Sequence, residues 1–183
     1  MFLLSFFTDL IFYGFSLSTP LLGGLYLLRP RWRPALERRL AVSAGLLLAA
    51  SSILLVGTLN AGIQASFSAD ELERYAWLNR ITGPYWLTYW LTYWAQLAGQ
   101  GLLPQVLWRR SLRRRPGVLL LLVPGLLGKL AESWLLRYYA SQRDYLPSSW
   151  SMVSPNQPAL LVLLGIYLLL LWAIEWVIGR LRR

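Results

Sequence analysis

Long apolar runs alternate with short polar segments along most of the chain. A helix needs about 20 mostly apolar residues to cross a bilayer, because each residue advances about 1.5 Å and the hydrocarbon core is about 30 Å thick. Segments of this length, each limited by charge, Pro or Gly, cover 4–28, 40–63, 84–108, 116–138 and 158–179. The pattern therefore predicts an all-α integral membrane protein, with about five transmembrane helices forming one bundle over residues 1–183.

The first of these runs is expected to remain in the protein as a span. Its opening residues, MFLLSFFTDL, carry no basic region, and the apolar stretch that follows is too long for a signal peptide and has no small-residue cleavage site.

Arginine is concentrated in alternate loops. One set comprises Arg29, Arg31, Arg33, Arg38 and Arg39 in the first loop, Arg109, Arg110 and Arg113–Arg115 in the third, and Arg180, Arg182 and Arg183 at the end. The other loops hold only Arg74, Arg80 and Arg143. Because basic loops stay in the cytoplasm, this asymmetry predicts an external N-terminus and a cytoplasmic C-terminus.

Composition agrees with a membrane protein and limits its chemistry. Of the 183 residues, 56% are hydrophobic and 14% are charged, against about 25% charged in typical soluble domains. The chain has no Cys and no His, so thiolate and imidazole ligands and nucleophile–His pairs are excluded, and we expect no metal site and no catalytic residues. The net charge is +10. We attribute it to arginines that set the membrane topology and bind anionic lipid headgroups, rather than to a nucleic-acid-binding function.

An aromatic repeat opens the third span as PYWLTYWLTYW. Its four-residue spacing places Tyr85 and Tyr89 on one stripe and Trp86 and Trp90 on the next. These rings could contact a quinone or a lipid chain. Interfacial anchoring is the favoured interpretation, because Trp and Tyr are enriched where the bilayer meets water.

Ionisable residues occur inside several spans. Lys129 and Glu132 lie three residues apart on one face of the fourth span. They would form either a structural ion pair or part of a proton path. Asp9 and Glu175 lie near span ends, where they can snorkel or pair, Glu175 close to Arg180. Both interpretations of Lys129 and Glu132 stay open at this point.

Local signals predict two further features. In the second loop, Ser68 is followed three residues later by Glu71, a capping-box pattern that predicts a short interfacial helix. Gly99, Gly101 and Gly125 are expected to allow close helix contact.

A specific resemblance begins in the last external loop. The sequence RDYLPSSW, formed by Arg143, Asp144, Tyr145, Leu146, Pro147, Ser148, Ser149 and Trp150, resembles the RDFLPSSW signature of NrfD-like (polysulfide reductase membrane subunit) proteins, as in alternative complex III. GPYW at 83–86, LLPQVLW at 102–108 and Glu132 resemble other family segments in the same order. The resemblance covers about residues 60–150 and is to the C-terminal four-helix bundle of the family.

Departures from the family pattern qualify the resemblance. Ser133 stands where the family has Arg, Gln142 where it has His, and the chain lacks the His used at the family's quinol site. The resemblance thus implies a non-catalytic subunit of a quinol:cytochrome c oxidoreductase in a bacterial cytoplasmic membrane, within a respiratory or photosynthetic electron-transport chain. This chain would bind no cofactor itself. Its 143–150 loop would dock partners.

The implied partners are larger NrfD-like subunits, a multihaem cytochrome and an iron–sulfur protein. They would carry the haem and iron–sulfur centres, and quinol would bind at the level of the complex. Two alternatives stay open: a subunit of the same complex that contacts quinone or protons, and a small homodimeric transporter.

Overall fold

The computed structural model describes residues 2–67, 70–82, 86–127 and 157–181, and these residues are almost entirely helical. The α-helices are α1 (Phe2–Leu28), α2 (Arg33–Ser66), α3 (Glu71–Thr82), α4 (Trp86–Gln96), α5 (Pro116–Leu126) and α6 (Gln157–Leu181). Short 3₁₀ turns cover Pro30–Trp32 and Leu112–Arg114.

Three of these helices are long and apolar enough to cross a membrane. The qualifying segments are Phe6–Leu28, Pro30–Gln64 and Leu160–Arg180, and they correspond to the first, second and fifth predicted spans. Within the fourth, the described helix α5 is shorter. The all-helical, membrane-compatible architecture is therefore as predicted.

The third predicted span is helical throughout its described part but changes type along its length. After α4, residues Leu97–Leu102 form a π-helix and Leu103–Trp108 form a 3₁₀-helix. Leu102 and Leu103 keep right-handed helical backbone angles, and Arg109 is extended. The segment therefore runs without a break from Trp86 to Trp108, and the helical backbone ends at Arg109.

Helix α1 lies at the centre of the described bundle and packs against α2, α5 and α6. In the most apolar 18-residue stretch of α1, 56% of the residues are buried, against 11% in the corresponding stretch of α6. Its core residues Leu10 and Phe15 pack in one cluster with Leu40 and Leu47 of α2 and Tyr167 of α6. Burial of these side chains and close packing stabilise the bundle.

Cross-helix contacts show how the helix ends are arranged. The Tyr26 hydroxyl near the end of α1 donates to Glu37 Oε1 near the start of α2, at 3.1 Å. Arg39 Nε donates to Glu175 Oε2 near the end of α6, at 3.2 Å. The end of α1, the start of α2 and the end of α6 thus meet at one end of the bundle.

That shared end is rich in arginine, and we call it the Arg-rich end. It carries Arg29, Arg31, Arg33, Arg38, Arg39 and Arg180. The contacts also refine one expectation, because Glu175 binds Arg39 on α2, whereas the Arg180 guanidinium lies 4.2 Å from the ring centroid of Trp176. Charge–ring contacts of this kind are attractive.

A short helix, α3, is present in the second loop as predicted, but its cap differs from the prediction. The helix begins at Glu71, and Asp70 Oδ1 accepts a hydrogen bond from the Leu72 N–H at 2.9 Å. Asp70 therefore serves as the N-cap, while Ser68 lies outside the described residues. Leu72 and Tyr75 are largely exposed, and the interfacial position of α3 stays a prediction.

Candidate functional site

The structure locates only some of the predicted site residues. Lys129, Glu132, Tyr85 and the 143–150 loop lie outside the described residues, as does the side chain of Tyr89, a residue of α4. Trp86 is half exposed on α4, and Trp90 stacks on Trp94 with ring centroids 5.6 Å apart and planes inclined by 13°. The described part of the stripe therefore consists of Trp86, Trp90 and Trp94, which follow one another at four-residue spacing along α4.

Tyr93 joins this aromatic stripe to a polar pocket. Its ring meets Trp94 edge-on at 5.6 Å, and the same residue lines a pocket between α1, α2 and the α4–π-helix segment. We call this pocket the Asp9 pocket. Its lining residues are Thr8, Asp9 and Phe12 from α1, Leu54 and Thr58 from α2, and Tyr93, Gln96, Leu97 and Gln100 from the third helical segment.

The Asp9 pocket is small and chemically mixed. Its cavity volume is about 80 Å³, enough for a few water molecules, since each needs about 10–15 Å³ of such space. The polar lining consists of one carboxylate, two Thr hydroxyls, a Tyr hydroxyl and two carboxamides. Ionisable groups inside a bundle are costly and often mark ion or substrate paths, so we take this pocket as the candidate site.

Gln100 is the most buried polar residue of the pocket, with 3% of its surface exposed. Its Nε2 donates to the Leu126 carbonyl oxygen at the end of α5, at 3.0 Å. This bond orients the Gln100 carboxamide with its Nε2 towards α5, so that Oε1 is the atom of the carboxamide that can accept a hydrogen bond. The π-helix that carries Gln100 is a rare conformation that is often found at functional sites.

Close backbone packing positions this π-helix against α5. A Cβ atom added to Gly99 would overlap the Gly125 carbonyl, and one added to Gly125 would lie 3.2 Å from Gly99 Cα. The predicted role of these glycines in close helix contact is therefore confirmed. Only two residues without side chains allow the approach that brings Gln100 within reach of Leu126.

A second polar cluster lies further along the same segment and is internally satisfied. Gln105 Nε2 donates to Ser51 Oγ at 3.2 Å and to the Gly101 carbonyl at 2.9 Å. Its Oε1 accepts from Ser52 Oγ at 3.3 Å and from Trp108 Nε1 at 3.0 Å. Both polar atoms of the Gln105 side chain are therefore hydrogen-bonded. Its bonds to Ser51 and Ser52 connect this segment to α2, so we give Gln105 a structural role.

These contacts also give the direction of the segment. Ser51 and Ser52 meet Gln105, whereas Thr58, further along α2, shares the Asp9 pocket with Gln96. The segment is therefore antiparallel to α2, and its basic continuation, Arg109–Arg115, leads towards the Arg-rich end. The Asp9 pocket lies towards the opposite end of the bundle.

Helix α1 continues the polar face of the pocket into the core. Asp9, Phe12, Ser16 and Thr19 follow one another at helical spacings of three or four residues and so share a face. The hydroxyls of Ser16 and Thr19 are buried without a hydrogen-bond partner in the described part of the chain. A buried hydroxyl without a partner is energetically costly.

Sequence reasoning noted Asp9 but did not find its companions. Thr58, Gln96 and Gln100 reach the pocket from other helices, and Gln100 is placed there by the π-helix. The available signal was the recurrence of Gln at 96, 100 and 105 within an apolar run. Among the residues that the structure describes, no three His, Cys, Asp or Glu side chains form a metal-binding group.

Comparison with known proteins adds no family assignment. No family model matches the chain, and no curated protein matches it either.

Proposed function

We propose that the chain is a non-catalytic membrane subunit of an alternative complex III-like quinol:cytochrome c oxidoreductase in a bacterial cytoplasmic membrane. The observation that carries this proposal is the RDYLPSSW sequence at 143–150, which resembles the NrfD-like signature. Haem, iron–sulfur centres and quinol would belong to partner subunits. This chain would supply packing surfaces and an external docking loop.

The surface of the bundle is compatible with this role. On α6, Leu161, Leu169 and Trp172 are each more than half exposed. Such a face is stable only against lipid or neighbouring apolar helices. Larger membrane subunits would therefore pack along α6, while the external loop would contact peripheral subunits.

The proposed topology has five spans, an external N-terminus and a cytoplasmic C-terminus. Arginine asymmetry between loops supports it, as does the meeting of the basic ends of α1, α2 and α6 at the Arg-rich end. The third and fourth spans would run over 84–108 and 116–138. In this orientation the Asp9 pocket lies near the external surface.

Purification from native membranes tests the proposed partnership. We expect the tagged wild-type chain to copurify with a multihaem cytochrome, visible by its haem absorbance, and with an iron–sulfur protein. Trp150→Ala should weaken the cytochrome association while the membrane subunits remain. Trp32→Ala is the matched control, because Trp32 is exposed at the Arg-rich end. Purification of the wild type without redox partners would contradict the proposal.

A second candidate role is direct contact with quinone or protons in the same complex. It is favoured by one observation: Tyr93 belongs both to the aromatic stripe and to the polar Asp9 pocket. Under this role Lys129 and Glu132 would belong to a proton path. Glu132→Gln should then impair proton translocation while the complex still assembles, and unchanged turnover and translocation would count against it.

A further inference from the structure

We propose that Arg33 and Arg113 are oriented binding sites for the phosphate group of an anionic phospholipid. The inference rests on how the fold holds the two guanidinium groups, and so it goes beyond the general attraction between basic loops and anionic lipids. It is independent of membership in a redox complex, because it concerns only side chains of this chain.

Both guanidinium groups are anchored by their Nε atoms to backbone carbonyl groups. Arg33 Nε donates to the Tyr26 carbonyl oxygen at 3.3 Å, and the Arg33 guanidinium lies 5.2 Å from the centroid of the Tyr26 ring. Arg113 Nε donates to the Leu107 carbonyl oxygen at 2.6 Å. Neither group forms an ion pair within the described part of the chain. The terminal Nη1 and Nη2 atoms of both therefore remain available to an external ligand.

An anchored guanidinium group suits phosphate better than a freely rotating one. Guanidinium carries its N–H donors in a planar fork, and the Nε bond occupies only the donor at the base of that fork. The non-bridging oxygens of a phosphodiester can accept parallel hydrogen bonds from the Nη atoms, a bidentate geometry that lysine does not provide. Because the side chain is already held in place, less conformational freedom is lost when phosphate binds.

Local charge at this end of the bundle favours an anion. The first and third loops adjoin there, because a Cβ added to Gly23 near the end of α1 would lie 3.4 Å from Leu120 near the start of α5. The 3₁₀ turn Leu112–Arg114 also packs against α2. Among the described residues, this end holds two carboxylates, Glu37 and Glu175, and both already accept hydrogen bonds within the chain. Basic residues therefore outnumber acidic ones, and an external anion would balance the excess.

Exposed apolar side chains beside the arginines indicate that the anion belongs to a lipid. Leu27 and Leu28 at the end of α1, and Trp32 and Trp108 next to the basic loops, are each more than half exposed. A soluble phosphate would leave these side chains in water, whereas the acyl chains of a phospholipid would cover them. A zwitterionic headgroup would bring its own ammonium group close to the arginines, so the attraction is larger for an anionic headgroup.

Native mass spectrometry of the full chain tests the proposal by counting the lipids that stay bound as detergent is removed. The solubilised protein is titrated with phosphatidylglycerol, which is anionic, or with phosphatidylcholine that has the same acyl chains. We expect phosphatidylglycerol to bind more tightly. Equal affinities for the two lipids would overturn the proposal.

Substitutions that conserve charge separate an oriented site from net charge. Arg33→Lys and Arg113→Lys keep the positive charge but remove the Nε anchor and the fork. Each should weaken the binding of one phosphatidylglycerol molecule about tenfold, equivalent to about 1.4 kcal/mol. Arg31→Lys is the matched control and should bind as the wild type does, because Arg31 is exposed and makes no hydrogen bond or ion pair in the described part of the chain. Equal affinities in all three variants would show that net charge alone accounts for binding, and would overturn the proposal.

The Tyr26 ring allows the orientation of Arg33 to be tested without any change of charge. Tyr26→Leu removes the ring next to the Arg33 guanidinium and should weaken lipid binding. Tyr26→Phe keeps the ring, loses only the hydrogen bond to Glu37, and should bind as the wild type does. Unchanged affinity in Tyr26→Leu, with intact size-exclusion behaviour, would contradict the oriented site.

Competition with inorganic phosphate identifies the source of the anion. We expect phosphatidylglycerol to stay bound in an equal concentration of phosphate, because the acyl chains contribute to its binding. Displacement of the lipid under these conditions would overturn the assignment to a phospholipid.

Discussion

The Tyr167 hydroxyl lies 2.6 Å from Ser43 Oγ, joining α6 to α2 by a buried hydrogen bond. The ring of Tyr167 is fully buried and rests on Gly14 of α1. One aromatic residue thus fixes the relative positions of three helices. Of the described long helices α6 is the least buried, so this contact is central to its attachment.

Gly14→Ala should destabilise the bundle by about 1–3 kcal/mol, since an added Cβ would overlap the Tyr167 ring and force the helices apart. Gly45→Ala is the matched control, because a Cβ there meets nothing within 4 Å. The control should be neutral or stabilising by up to about 1 kcal/mol. Unfolding in detergent mixtures measures both, and equal stabilities would contradict the contact.

Removing either partner of the Ser43–Tyr167 hydrogen bond should cost about 1–3 kcal/mol, because the remaining buried hydroxyl loses its partner. Tyr167→Phe and Ser43→Ala should therefore be non-additive in the double variant. A double-mutant cycle of unfolding free energies measures this coupling. Strictly additive losses would show that the two hydroxyls act independently.

Gly99→Ala should separate the π-helix from α5, since the added methyl group would collide with the Gly125 carbonyl. We expect a loss of about 1–3 kcal/mol and loss of the Gln100–Leu126 hydrogen bond. Gly117→Ala is the matched control, because a Cβ added at Gly117 would meet nothing within 4 Å. If the two variants unfold alike, the close approach does not stabilise the protein.

Cysteine accessibility should reveal the membrane orientation, because the chain contains no native Cys. Ser66→Cys and Ser111→Cys place single thiols at exposed positions towards opposite ends of the bundle. In intact spheroplasts an impermeant maleimide should label position 66 and not position 111. Labelling of both after lysis is the control, and the reverse pattern would invert the proposed topology.

Hydrophobic run length alone predicted the long helices. The described bounds of α1, α2 and α6 enclose the runs at 4–28, 40–63 and 158–179, because a backbone in lipid must satisfy its hydrogen bonds within each segment. The polar segment after α2 likewise predicted α3, although the cap is Asp70. Glycine positions predicted close packing at Gly99 and Gly125. The resemblance at 143–150 lies outside the described residues and stays a prediction.

Which side chains meet was decided only by the tertiary structure. Glu175 pairs with Arg39 across 136 positions of sequence, and Tyr167 meets Ser43 across 124. A span that is apolar on all sides carries little information about which face turns inward, so sequence periodicity could not identify these partners. The Asp9 pocket likewise depends on helix rotation and on the π-helix that turns Gln100 into the bundle, and both arise from packing between helices.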